Sequence, residues 1–198
     1  MRLLIGKGAD VNAQGGYYKN ALQVAARRGN TDTMLLLLDE GADIMVGGNN
    51  DKALFAAAIC DNVEAMRILL DKGADANMVY GFYCKALHSA VRSNNTEAVQ
   101  LLLDEGADIN MEGGCSSKVL QDAAQRGDVQ AMRLLLDKGA DVNMKGGDYG
   151  RALQAAAANG NVEAVQLLLD EGANVNAQGG DYGNALIAAA SNTQIEVF

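Results

Sequence analysis

The sequence has no proline and no tryptophan, a single histidine, three cysteines, and aromatic side chains at only 5% of its 198 residues. With so few rings to fill space, any core must be made of Ala, Leu and Val, as closely approaching helices require. No apolar run approaches the 18 or so residues that a membrane span needs, and residues 1–10 carry Arg2, Lys7 and Asp10 with no small-residue cleavage site. Neither a membrane partner nor secretion is expected. Basic residues are scarce, 16 against 25 acidic ones, and the resulting net charge of −9 repels phosphate backbones and anionic lipid. No nucleic acid is expected as a partner. Cys60, Cys84 and Cys115 cannot all pair within one chain and lack metal-ligand spacing. A reducing compartment, cytoplasm or nucleus, is the expected setting, with no metal and no cofactor.

What the chain does have is repetition. Gly-Ala-Asp, once Gly-Ala-Asn, recurs at Gly8, Gly41, Gly73, Gly106, Gly139 and Gly172, at spacings of 33, 32, 33, 33 and 33. Leu22, Leu54, Leu87, Leu120, Leu153 and Leu186 keep step with it, as do Leu-Leu pairs such as Leu69-Leu70 and Leu102-Leu103. Each period is therefore one copy of one supersecondary element. In the copy at 148–180, an Ala-rich first helix is predicted over about Ala152 to Asn159, broken by Gly160. A second helix begins after Asn161, an N-cap type of residue, with Glu163 in its first turn facing the positive end of the helix dipole. Ala164, Val165, Leu167, Leu168 and Leu169 form its packing stripe, Gly172 supplies the positive φ that ends it, and Asn174 to Gly180 make a Gly-rich projecting loop.

Such a unit is too small to bury its own apolar face, so its stability must come from stacking on the units before and after it. Residues 17–48, 49–81, 82–114, 115–147 and 148–180 read as five full copies in a single array over 1–198. Residues 1–16 are the tail of an earlier copy and 181–198 the head of a later one, which suggests a slice of a larger, multidomain protein.

The run Gly-Asn-Val-Glu-Ala-Val-Gln-Leu-Leu-Leu-Asp-Glu-Gly-Ala-Asn-Val-Asn at 160–176 resembles the body of an ankyrin repeat, and six registered copies extend the resemblance over essentially the whole chain. The resemblance implies an all-α fold, a helix-turn-helix solenoid with projecting loops and β-turns, and a protein-recognition role in place of catalysis. One departure is systematic. Where the family opens the first helix with Thr-Pro-Leu-His, this chain has Asn20-Ala21-Leu22-Gln23, Lys85-Ala86-Leu87-His88 and Arg151-Ala152-Leu153-Gln154. His88 alone keeps the family's His, and Gln at the equivalent positions still has an N–H to donate. The Tyr-Gly-x-Ala-Leu-Gln-Ala-Ala wording is similar to arrays in large fungal multidomain sensor proteins.

A doubled period lies inside the single one. Met66-Arg67 with Asp71-Lys72 recurs as Met132-Arg133 with Asp137-Lys138, while Val99-Gln100 with Asp104-Glu105 recurs as Val165-Gln166 with Asp170-Glu171. Stacked repeats sit about 8–10 Å apart, so Lys7, Glu40, Lys72, Glu105, Lys138 and Glu171 are expected in a row of alternating sign that keeps like charges out of contact.

Candidate chemistry is sparse. His88 sits where the family's structural His sits, Cys84 and Cys115 lie near adjacent tips, and none of the Gly-Gly pairs stands in the strand-to-helix context with Lys-Ser/Thr that a phosphate loop requires. A catalytic or small-molecule groove using Cys84, Cys115 or His88 remains the alternative to recognition. Binding residues are easier to find, because tip and first-helix positions vary from copy to copy and carry the side chains that anchor interfaces. The expected partner-binding set is Tyr18, Phe82, Tyr83, Tyr149 and Tyr182 at the tips, with Phe55, Ile59, Arg92 and Arg126 on the first helices. The second loop, Gly47 to Asp51, is one residue shorter and has no aromatic, so the contact is expected beyond it, with Phe55 and Ile59 as an apolar floor. The acidic balance implies a protein partner of at least partly basic character. Leu3, Leu4 and Ile5 near one end and Ile187, Ile195, Val197 and Phe198 near the other suggest end-to-end self-association as a structural role.

Overall fold

Six times in this sequence a short Ala-Leu-rich segment is followed by a turn, and the computed structural model turns each of these into a helix. It describes residues 1–16, 19–45, 53–77, 86–110 and 118–191. Among them the first helices are α2 (Ala21–Arg27), α4 (Ala53–Ile59), α6 (Ala86–Arg92), α8 (Val119–Arg126), α10 (Ala152–Ala158) and α12 (Ala185–Ser191). The second helices are α3 (Thr31–Asp39), α5 (Val63–Asp71), α7 (Thr96–Asp104), α9 (Val129–Asp137) and α11 (Val162–Asp170), with a short α1 (Arg2–Ile5) before them. No strand occurs among the described residues, apart from one isolated antiparallel bridge between Gly146 and Gly150. No described helix is long and apolar enough to cross a membrane.

The chain divides into two compact units, residues 1–89 and 90–198. In the first, α2 packs on α4 and on its own partner α3, and α3 lies against α5. In the second, α10 is held between α8 and α12, while α9 lies between α7 and α11. Each unit is thus a side-by-side stack of helix pairs, the solenoid arrangement. Alanine makes it possible: every residue of α10 is buried, and five of its seven are Ala, whose methyl groups let helices flanked on both sides approach closely. Between the two layers sit the larger side chains, Met34, Leu37, Met66 and Leu69 in the first unit and Leu102, Met132, Leu135 and Leu168 in the second, each at most 2% exposed. Burying one such side chain stabilises the fold by roughly 1.5–3 kcal/mol.

The C-terminal end of α11 is closed as the sequence implies. Gly172 has φ +85°, the Ala173 N–H donates to Leu168 O at 2.8 Å and the Gly172 N–H to Leu169 O at 3.0 Å, which satisfies two carbonyls left over at the end of α11. The start of α11 differs from expectation. Asn161 stands at the N-cap position but makes no capping bond to its own helix. Its side-chain amide instead donates to Ala124 O and Gln125 O, both at 2.9 Å, at the end of α8 in the preceding copy. Asn62 does the same in the first unit, donating to Ala26 O at 3.0 Å and Arg27 O at 2.8 Å. Asn30, Asn95 and Asp128, in the equivalent positions, do cap their own helices.

A second set of bridges joins the copies beyond the second helices. Asn143 donates through Nδ2 to Gly172 O at 3.2 Å and accepts from the Asn174 N–H at 2.9 Å. Asn110 makes the matching pair with Gly139 O and the Asp141 N–H, and Asn12 with Gly41 O and the Asp43 N–H. Each asparagine completes two backbone groups of the next copy at once.

Candidate protein-interaction site

The projecting tips are positioned by the first helices through the glutamines that stand in place of the family's usual His. Gln154, 1% exposed, donates from Nε2 to Ala177 O, Gly179 O and Gly183 O at 3.1–3.4 Å. Gln121 donates to Met144 O and Gly150 O and accepts from the Lys118 N–H. The donor expected of these glutamines is thus used, and it fixes the tip that follows. Arg151 adds two further bonds, to Asn143 O and Gln178 O.

The tips 146–150 and 179–183 share the sequence Gly-Gly-Asp-Tyr-Gly and touch backbone to backbone, with the Asp181 N–H donating to Asp148 O at 2.8 Å. A Cβ on Gly180 would stand 2.3 Å from the Tyr149 carbonyl carbon, so only glycine permits this approach. Tyr149 and Tyr182 stack with ring centroids 5.7 Å apart and planes 13° from parallel. Both are half-buried, packed on a small cluster formed by Ala157, Ala158, Ala188 and Ala189. Repetition of one tip sequence therefore builds an aromatic pair in which each ring covers part of the other.

Of the remaining expected binding residues, Arg92 and Arg126 end α6 and α8 and are exposed. They line one cavity of about 360 Å³ together with Asp122, Gln125 and Asn159. Arg126 donates from Nη2 to Arg92 O, closing the end of α6. Gln125 donates to Tyr149 Oη at 3.2 Å, which ties the cavity wall to the tyrosine stack. In the first unit, Phe55 is half-buried on α4 and Ile59, at its end, is 41% exposed. Tyr18, Phe82, Tyr83, Cys84 and Cys115 lie outside the described residues. Cys60 is exposed and not in a disulfide, and His88 is half-buried in α6.

Gln125 and Asn159 were not singled out by sequence reasoning, although a signal exists. Aligning the copies puts Ile59, Arg92 and Gln125 in one column and Cys60, Ser93, Arg126 and Asn159 in the next, so the two arginines share their columns with the two amides. The charge row needs a correction of one residue. Lys138 Nζ lies 2.9 Å from Asp104 Oδ1, not from Glu105, and Gln100 Nε2 donates to the same oxygen. The lysine reaches back toward the preceding helix end, where an aspartate one position before the cap is nearer than the cap itself.

The family model described as ankyrin repeats (3 copies) matches residues 1–80, 49–113, 73–146 and 120–198. The crystal structure of the human ASB11 ankyrin repeat domain superposes with a TM-score of 0.82 at 27% identity, covering 90% of this chain and 80% of that one. No curated protein matches the sequence.

Proposed function

Because the chain belongs to the ankyrin-repeat family, whose arrays in general bind other proteins, we propose that it is a non-catalytic recognition module for a protein partner of partly basic character. The observation that carries this reading is the gathering of exposed Arg92 and Arg126 into one cavity at the ends of the first helices, beside tips that carry a tyrosine pair. Tyrosine gives large contact area at little cost in rotamer entropy, and the planar arginine fork gives directional hydrogen bonds. In the second unit the contact set is Arg92, Arg126, Tyr149 and Tyr182; in the first it is Phe55 and Ile59, with Tyr18, Phe82 and Tyr83 completing the proposal. The net charge of −9 favours basic segments on the partner's side. The module belongs, on this reading, to a longer multidomain protein of the cytoplasm or nucleus.

The test is capture of partners from cell extract by the intact chain and by two variants, Phe82→Ala/Tyr83→Ala and Arg92→Ala. A protein retained by the wild type and lost by the variants, with an affinity loss of about 2 kcal/mol or more for the aromatic pair, supports the reading. Undiminished retention by both variants rules this surface out.

A second reading rests on exposed apolar side chains. Leu3 and Leu4 are 76% and 65% exposed, and Leu186 and Ile187 are 60% and 51% exposed. They fit self-association of copies through these faces. Sedimentation that stays monomeric across the micromolar range would dismiss it.

A further inference from the structure

The cavity at the ends of α6, α8 and α10 has a cationic lining in an acidic chain. Among the described residues its charged lining is Arg92, Arg126 and Asp122, a local sum of +1 in a chain of net charge −9. Among the described residues, no hydrogen bond occupies the Arg92 guanidinium, whose five N–H groups form a planar fork. Arg126 is held in place by its bond to Arg92 O and keeps further N–H groups. The amides are oriented as well. Asn159 Nδ2 donates to Ala155 O at 2.9 Å and Gln125 Nε2 donates to Tyr149 Oη at 3.2 Å, which leaves the carbonyl oxygen of each to accept from a ligand. Helix C-termini ordinarily disfavour an anion. Here the carbonyls at the end of α8 are taken by Asn161 and that of Arg92 by Arg126, so the arginines are not consumed in neutralising them all.

We propose that this cavity is an anchor site for the carboxylate of an Asp or Glu side chain in the partner, gripped by the Arg92 fork and bounded by Gln125 and Asn159. The assignment rests on the recognition reading above and adds a chemical requirement to it: a partner that is basic along its length places one acidic residue here. A monoanion balances the local charge of +1. A dianionic phosphate would leave an excess negative charge beside the buried Asp122 carboxylate and in the field of an acidic chain. The amide acceptors suit the backbone N–H groups that flank an acidic side chain in a peptide, and a flat fork-to-carboxylate contact is the strong, directional kind. Arg92 is then the specificity-determining residue.

The test uses the full chain and three small probes: N-acetylglutamate amide, its neutral isostere N-acetylglutamine amide, and N-acetylphosphoserine amide. Titrations are followed by the side-chain NMR signals of Arg92, Arg126 and Gln125. The glutamate probe is expected to shift these signals saturably, at least tenfold more tightly than the glutamine probe. Arg92→Gln should remove that preference with an unchanged circular dichroism spectrum, and Arg92→Lys, which keeps the charge but not the fork, should restore only part of it. Equal response to both probes, or tighter binding of the phosphoserine probe, overturns the assignment. The two readings fail separately. If the probes do not discriminate but Phe82→Ala/Tyr83→Ala still abolishes partner capture, the carboxylate site falls and recognition stands. If capture survives every variant while the glutamate preference holds, the cavity stands as a carboxylate site but not as an anchor for the partner, and the recognition reading falls.

Discussion

Asn161 reaches back onto Gly127. A Cβ at Gly127 would lie 2.9 Å from the Asn161 Cγ and Oδ1, and the same contact is made between Asn62 and Gly29, where the distance to Oδ1 would be 2.6 Å. Where the corner residue has a side chain, as Asn94 does at φ +58°, the acid in the next copy, Asp128, turns to its own helix and accepts from the Ala131 N–H. One glycine thus decides whether the next copy's cap residue bonds within its repeat or across to its neighbour.

Gly127→Ala should therefore cost more than Gly139→Ala. Both positions have positive φ, +70° and +91°, but nothing lies within 4 Å of a Cβ on Gly139. Backbone strain alone predicts about 1–2 kcal/mol at Gly139. Gly127→Ala should add roughly 1–2 kcal/mol by displacing Asn161 from two carbonyls. Urea midpoints of the two variants check this, and in an Asn161→Ala background the difference should disappear. Equal midpoints in the wild-type background would remove the clamp from the account.

A rung is missing from the asparagine bridges, and it can be supplied. Met45 occupies the register of Asn12, Asn110 and Asn143 and is 42% exposed, so it neither bridges nor fills the core. Met45→Asn is expected to bond Gly73 O and the Asp75 N–H within the first unit, stabilising the chain by about 1 kcal/mol. A raised urea midpoint with an unchanged slope is the predicted result; a lowered one counts against the bridging role.

The Lys138–Asp104 pair gives the chain a pH signature. The hydrogen bond from Lys138, then the one from Gln100, hold the Asp104 carboxyl below its ordinary value of 3.8. With the folded value depressed, the unfolded chain takes up the proton first, so the contribution is fully present above 3.8 and fades as pH falls through the lower folded value. Lys138→Met should move the Asp104 titration, read from its carboxyl carbon signal, back toward 3.8, and the two proteins should converge in stability in strong acid. Both side chains are roughly half exposed, so the effect is small and shrinks with added salt. An Asp104 titration that ignores Lys138→Met would contradict the pairing.

The helix pairs and the glycines that end them were legible in the sequence, because each depends on residues close in the chain: Gly172 ends α11 by its own backbone freedom, and Ala152–Ala158 declares a closely packed helix by composition. What stayed hidden lies one copy away. Asn161 reads as a cap until the residue it meets, Gly127, is known to leave room. Lys138 reads as a partner of Glu105 until the direction of its side chain picks Asp104. The donor capacity of Gln154 could be read from its chemistry, but its three acceptors, all in the following tip, could not. The cavity was half legible, since Arg92 and Arg126 stand out as variable charged positions while Gln125 and Asn159 are visible only when the copies are aligned column by column.

Each helix pair owes its order to its neighbours, and hydrogen exchange on the full chain carrying Leu168→Ala tests this most directly. Leu168 is fully buried, and its truncation should cost about 2–5 kcal/mol. If stability is a sum of local interfaces, amides of α10, α11 and α12 should lose protection strongly, α9 less, and those of α2 and α3 almost none. An equal loss of protection at α2, α3 and α11 would mean that the chain is held by one shared core, and would contradict the claim.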